Sequence, residues 1–167
     1  MRTVDELLES FGNKPLEDLT VDQAKQLLQT FIEGEASNFE ILEFGDVVLD
    51  YSERSVRDLI YWVVEHELRE DPEAPNLQLW ALRVGYYFGE SLRRVTPKLY
   101  WTTADPEYAL GNQPAITGFS KWPNGFQEEA AVVVICRNLL SLAAEGANHR
   151  IDTAMNLWFA RAMETKG

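Results

Sequence analysis

The stretch NLQLWALRVGYYFGESLRRV, residues 76–95, decides the architecture. Leu77, Trp80, Ala81, Val84, Phe88, Leu92 and Val95 recur at three- and four-residue spacing, which lines one face of an α-helix with apolar side chains. Asn76 suits the cap position at its start, and Pro97 stops it. A second face carries Arg83, Tyr86, Tyr87, Glu90 and Arg94. Within it Arg83 and Tyr87, Tyr86 and Glu90, and Glu90 and Arg94 stand one helical turn apart, so Glu90 is expected to contact an arginine of this ladder. Gly85 and Gly89 share a third sector, where a neighbouring backbone can approach closely. Aromatic residues mixed with arginine have the composition of recognition surfaces. The same residues equally suit an internal ion pair, with the tyrosines packed against strands that follow.

Upstream, Val4 to Phe11 reads as a short helix ended by Gly12-Asn13. Thr20 and Gln23 form a capping-box pattern ahead of Val21, Ala24, Leu27, Leu28 and Phe31, with Gly34 as the expected stop. Residues 39–49 are ambiguous, and a short strand is expected at Val47 to Leu49. Asp50 or Ser52 then caps a helix from about Glu53 to Arg69, with the stripe Val56, Leu59, Ile60, Val63 and Val64. Downstream, Leu99 to Thr103 and Ala115 to Phe119 read as strands around a turn-rich segment. Glu128 to Ala144 is apolar enough for a buried helix, although Ala130 to Ile135 also has strand composition. A last amphipathic helix carries Ile151, Ala154, Met155, Trp158, Phe159 and Ala162. The expected fold is α+β and mostly α, with about six helices around one core and a small two- to three-stranded sheet. Residues 1–167 are expected to form a single domain, shared by Phe31, Val63, Phe88 and Trp158.

The 15 Lys and Arg against 27 Asp and Glu leave a net charge of −12. Such a field repels phosphate backbones and anionic membrane surfaces, so neither nucleic acid nor membrane is an expected partner. It attracts a basic protein, or it serves solubility alone. Cys136 is the lone cysteine, which favours a reducing compartment, and the first residues do not read as a signal peptide, so the cytoplasm is expected.

The segment His66-Glu67-Leu68-Arg69-Glu70 has Glu70 where a zinc-protease helix needs its second histidine, so no metal site is expected there. Glu67 falls near the centre of the apolar stripe; it is either paired in the interior or wet at a helix end that has left the core. Tyr100, Trp101, Tyr108, Phe119, Trp122 and Phe126 form a weakly charged aromatic set that lines a concave site or a sheet–helix core. No phosphate loop, nucleophile elbow or cysteine–histidine motif is visible, Cys136 reads as an inert core residue, and no cofactor is expected.

Three features carry a resemblance: Leu49-Asp50-Tyr51-Ser52 followed by Ser55 at a helix start, Gly85 to Gly89-Glu90 in a second helix, and Trp101 on a following strand. In this order they resemble a loose group of bacterial domains that have no assigned reaction. They cover roughly the middle third to half of the chain, and small acidic bacterial proteins of similar make-up include immunity proteins, which neutralise a toxin by binding it. The first expectation is a non-catalytic protein-binding module, an immunity or other inhibitory protein acting on a basic partner by electrostatic and aromatic contacts. The alternative is a small-ligand protein or enzyme with a site near Glu90, Arg94 and Trp101. The candidate binding residues are therefore Arg83, Tyr86, Tyr87, Glu90, Arg94 and Trp101.

Overall fold

The structure is a computed structural model that describes residues 2–107 and 110–167; Tyr108, one of the aromatic set, lies outside them. Its elements are α1 (Val4–Ser10), α2 (Val21–Ile41), α3 (Glu53–Val63) with a π-turn at Val64–Leu68, α4 (Ala74–Arg93), β1 (Tyr100–Thr103), β2 (Pro114–Thr117), α5 (Val132–Ala144) and α6 (Asn148–Lys166). The fold is α+β and mostly α, with six α-helices and one small antiparallel sheet among the described residues. No helix among the described residues is long and apolar enough to cross a membrane.

Helix α4 is central. From Val84 through Leu92 every residue is buried, because α2, α3, α5 and β1 surround it. A helix enclosed on all sides has no solvent face, so amphipathic periodicity misplaces its polar positions. At Gly85 a side-chain Cβ would lie 3.0 Å from the Val133 Cα, which is the close backbone approach expected of that sector. Asn76 does not cap α4. The helix starts one turn earlier at Ala74, and the Asn76 amide instead donates to the Glu67 and Asp71 carbonyls, tying the α3–α4 connection.

Helix α2 has the capping box expected at Thr20 and Gln23, but it runs through Gly34 to Ile41. The extra turns are held by Phe39, whose ring stacks on Tyr87 at 5.6 Å and packs on Phe44 at 5.6 Å. That packing outweighs the roughly 1 kcal/mol that a glycine costs a helix interior. The expected strand at Val47 to Leu49 is a loop instead. Val47 N–H donates to the Phe44 carbonyl and Asp50 N–H to the Val48 carbonyl, so the segment closes local turns and pairs with no strand. Its side chains still alternate, with Val47 and Leu49 packed on the core and Val48 in solvent.

Ser52 caps α3, and its hydroxyl in turn donates to Asp50 at 2.5 Å, so both expected cap residues act together. Beyond Val63 the helix widens. Arg69 N–H bonds the Val64 carbonyl five residues back, the π spacing. The extra residue in that turn delivers Leu68 to the core in place of Glu67, which stays half-buried. Strands β1 and β2 pair with Trp101 opposite Ile116, and Ile116 also bridges Ala130 ahead of α5. The strand composition of residues 130–135 is realised only in that one bridge.

The core joins Phe31, Val63 and Phe88 with the half-buried Trp158. A smaller cluster of Leu7, Leu19, Ala24 and Leu27 sits beneath α1, and Val4 packs against both clusters. Because they are continuous through Val4, calorimetry is expected to show one unfolding transition, and two resolved transitions would contradict this.

Candidate functional site

The six α4 and β1 residues marked in the sequence divide among three environments. Glu90, Tyr86 and Trp101 form the first. Both Glu90 oxygens are engaged: Arg93 donates to them at 2.7 and 2.9 Å, and the Trp101 indole N–H donates at 2.8 Å. The arginine that Glu90 contacts is thus Arg93 rather than Arg94. Burial pushes the Glu90 pKa up, but the Arg93 and Trp101 hydrogen bonds outweigh it and hold the carboxylate below its ordinary value. The Trp101 ring lies parallel to Tyr86 at 6.2 Å and edge-on to Phe31 at 5.8 Å. Burial, followed by the Glu90 charge, pushes the Tyr86 phenol up to about 12. Gly89 faces the Trp101 ring rather than a neighbouring backbone.

Tyr87 and Arg94 belong to the second environment, around Tyr51. Tyr51 has φ +62°, a left-handed conformation that is uncommon for a bulky side chain. Its N–H donates to the Tyr87 hydroxyl at 2.8 Å, its ring stacks on Tyr87 at 5.0 Å, and the Arg94 guanidinium lies 3.6 Å from the centroid of the Tyr51 ring as a cation–π pair. The Ser55 hydroxyl donates to the Ser52 carbonyl, so the Tyr87 hydroxyl is left to donate to Ser55 Oγ at 2.7 Å. This network fixes the loop that enters α3.

That loop is the exposed feature that the periodicity of the sequence does not mark. Ile41, the last residue of α2, is 78% exposed and Val48 in the loop 69%, and the chain beside and between them carries exposed Glu40, Glu43, Asp46 and Asp50. Asp46, Val48, Asp50 and Asp58 also line a shallow hollow of about 340 Å³ with Ser52, Arg54 and Ser55. Phe44, packed edge-on against Trp62 at 5.0 Å, anchors the loop beneath this surface.

Arg83 belongs to the third environment. Its guanidinium lies 4.7 Å over the Trp80 ring, and it lines a cleft of about 450 Å³ between α2, α4 and the start of α1. Across that cleft is Glu35, which continues the α2 stripe Ala24, Leu27 and Phe31 and is nine-tenths buried. The signal for Glu35 is its helical spacing from Phe31, which is legible only if the helix is carried past Gly34. Burial raises the Glu35 pKa, and the Asn38 hydrogen bond and the Arg83 charge offset this only in part.

A carboxyl held more tightly protonated in the folded state favours folding below its ordinary value of 4.5, and that contribution is lost as pH rises through the folded pKa. Glu35→Gln is therefore expected to be more stable than the native chain at about pH 7, with the gap closing toward about pH 4. Urea melts at the two pH values check this, and a gap that widens in acid would contradict it.

Of the aromatic set, Phe119 is buried and Trp101 half-buried, whereas Tyr100, Trp122 and Phe126 are each roughly half exposed. They do not converge on one concave site: Phe119 packs on Trp158, and Trp122 receives the Arg161 guanidinium at 4.8 Å. Cys136 is fully buried in α5, where burial pushes its thiol pKa up. Comparison with protein-family models, curated proteins and solved structures finds no match.

Proposed function

We propose that this chain is a non-catalytic protein-binding module whose α2–α3 loop docks a basic partner, an inhibitory role of the immunity type. One observation carries the reading: exposed Ile41 and Val48 stand among Glu40, Glu43, Asp46 and Asp50, and none of these four carboxylates forms an ion pair among the described residues. Apolar anchors rimmed by unpaired charge combine contact area with electrostatic steering, and the net charge of −12 adds a long-range field of the same sign. Tyr51, clamped by Tyr87 and Arg94, supports a preorganised loop, which lowers the ordering cost of binding. The alternative of a small-ligand or catalytic site at Glu90, Arg94 and Trp101 has less support, because Glu90 is engaged at both oxygens and Arg94 lies on Tyr51.

The test is affinity capture from a bacterial lysate on the immobilised chain, followed by identification and calorimetric titration of the retained protein. The expected partner is basic and loses affinity with added salt. Val48→Asp and Asp46→Lys are each expected to weaken it by about tenfold or more while leaving the melting temperature nearly unchanged. A partner that is not basic, or one that binds both variants like the native chain, would overturn the reading.

A further inference from the structure

The cleft between α2 and α4 holds two charged side chains of opposite sign that do not satisfy each other. The Glu35 carboxylate is nine-tenths buried, and its one side-chain hydrogen bond among the described residues comes from the Asn38 amide at a long 3.4 Å. Arg83 Nε is buried and has no hydrogen-bond partner among the described residues. The two groups line the same cleft and attract each other, yet they form no ion pair within 4.0 Å. A buried carboxylate and a buried guanidinium nitrogen left in this condition are costly, because each has given up water without a full replacement. Such groups in a native interior call for a physical reason, and a bound partner that completes them is one.

The chemistry of that partner follows from the lining. It must donate to Glu35 and accept from Arg83. A ligand with a single charge would pair with one group and oppose the other. A ligand with one charge of each sign pairs with both and leaves the cleft neutral. Exposed Arg2 and Asp5 at the same cleft add one further charge of each sign and keep that balance. Phe31, Leu79 and Leu82 supply an apolar wall, and about 450 Å³ is a volume suited to a small molecule with a side chain of its own.

We infer that this cleft binds a small zwitterion of the α-amino-acid class, with its ammonium at Glu35, its carboxylate at Arg83 and its side chain against Phe31, Leu79 and Leu82. The site lies apart from the α2–α3 loop and stands whether or not that loop docks a protein.

The experiment screens the full chain against the natural α-amino acids by thermal shift, then titrates the best binder calorimetrically beside its amine and its acid, which lack the carboxylate and the ammonium respectively. The expected result is that the intact zwitterion binds at least about tenfold more tightly than either analogue. Glu35→Gln should remove most of the preference for the zwitterion over the deaminated acid, and Arg83→Met the preference over the decarboxylated amine. Both variants should unfold cooperatively, and the analogue series on the native chain gives the answer even if one does not. Absence of binding by every amino acid at about 10 mM, or equal binding of the zwitterion and its analogues, would overturn the inference.

Discussion

Gly89→Ala is expected to destabilise the protein by about 2–3 kcal/mol, whereas Gly34→Ala, also in a helix interior, is expected to stabilise it by about 0.5–1 kcal/mol. Intrinsic helix propensity favours alanine equally at both positions. The difference is what the new Cβ meets. At Gly34 there is nothing within 4 Å, so the gain in propensity is retained. At Gly89 the Cβ would lie 2.3 Å from Trp101 Cη2 and 2.6 Å from Cζ2. The indole cannot simply swing away. Its N–H is bonded to Glu90, its face lies against Tyr86 and its edge is set by Phe31. Displacing it breaks a half-buried hydrogen bond worth about 1 kcal/mol and overpacks the ring by about 1–3 kcal/mol, which together exceed the propensity gain. For a chain of this size the net loss lowers the melting temperature by roughly 5–10 °C. Thermal melts of the two variants side by side decide it. Equal shifts of the same sign would mean that Trp101 does not hold α4 against β1.

The features legible in the sequence are those set by near neighbours along the chain. The Thr20–Gln23 box, the cap at Ser52 and the stripe of α3 from Val56 to Val63 each depend on residues within one or two turns and form as read, while Val64 lies half-buried in the π-turn. What was not legible depends on distant partners. Gly34 reads as a stop because glycine weakens a helix locally, but Phe39 gains more by reaching Tyr86, Tyr87 and Phe44 than the glycine costs. Val47 to Leu49 has strand-like alternation and no strand beside it. The α4 sector has correct spacing for a surface ladder, yet Trp101 and Tyr51 arrive from elsewhere in the chain and enclose it. Glu90 then takes the nearer Arg93 and the indole, which leaves Arg94 for Tyr51. The candidate residues are thus real contributors to structure, while the exposed loop and the Glu35 cleft lie where the local signals point to a strand and a helix end.

Arg161 shows the same dependence on distant partners and carries the second large effect. It stands on the C-terminal half of α6, and its side chain is only 10% exposed. Its guanidinium donates to Glu128 at 2.8 Å, to Glu164 at 3.0 Å and to the Ser120 carbonyl at 2.7 Å, and it lies 4.8 Å from the Trp122 ring. It therefore ties the segment after β2 to the last helix, and Thr165 supports the same seam by accepting from Ser120 N–H at 2.9 Å. Arg161→Met keeps the length of the side chain and removes the charge and every donor. Glu128 and the Ser120 carbonyl then lose a strong partner in a poorly hydrated place. A fully buried pair broken in this way costs about 3–5 kcal/mol, and the partial exposure of Glu128 reduces the expected loss to about 2–4 kcal/mol. Glu164→Gln removes the solvent-exposed arm alone, at 65% exposure, and is expected to change stability by less than about 0.5 kcal/mol. Salt separates the two further: the Glu164 contribution is screened at about 1 M ionic strength, while most of the Arg161 effect persists because its other partners are shielded from solvent. Urea melts of both variants at low and high salt measure this. An Arg161→Met loss no larger than that of Glu164→Gln, or one abolished by salt, would show that the seam is held by the apolar contacts of Phe119 and Trp158 instead.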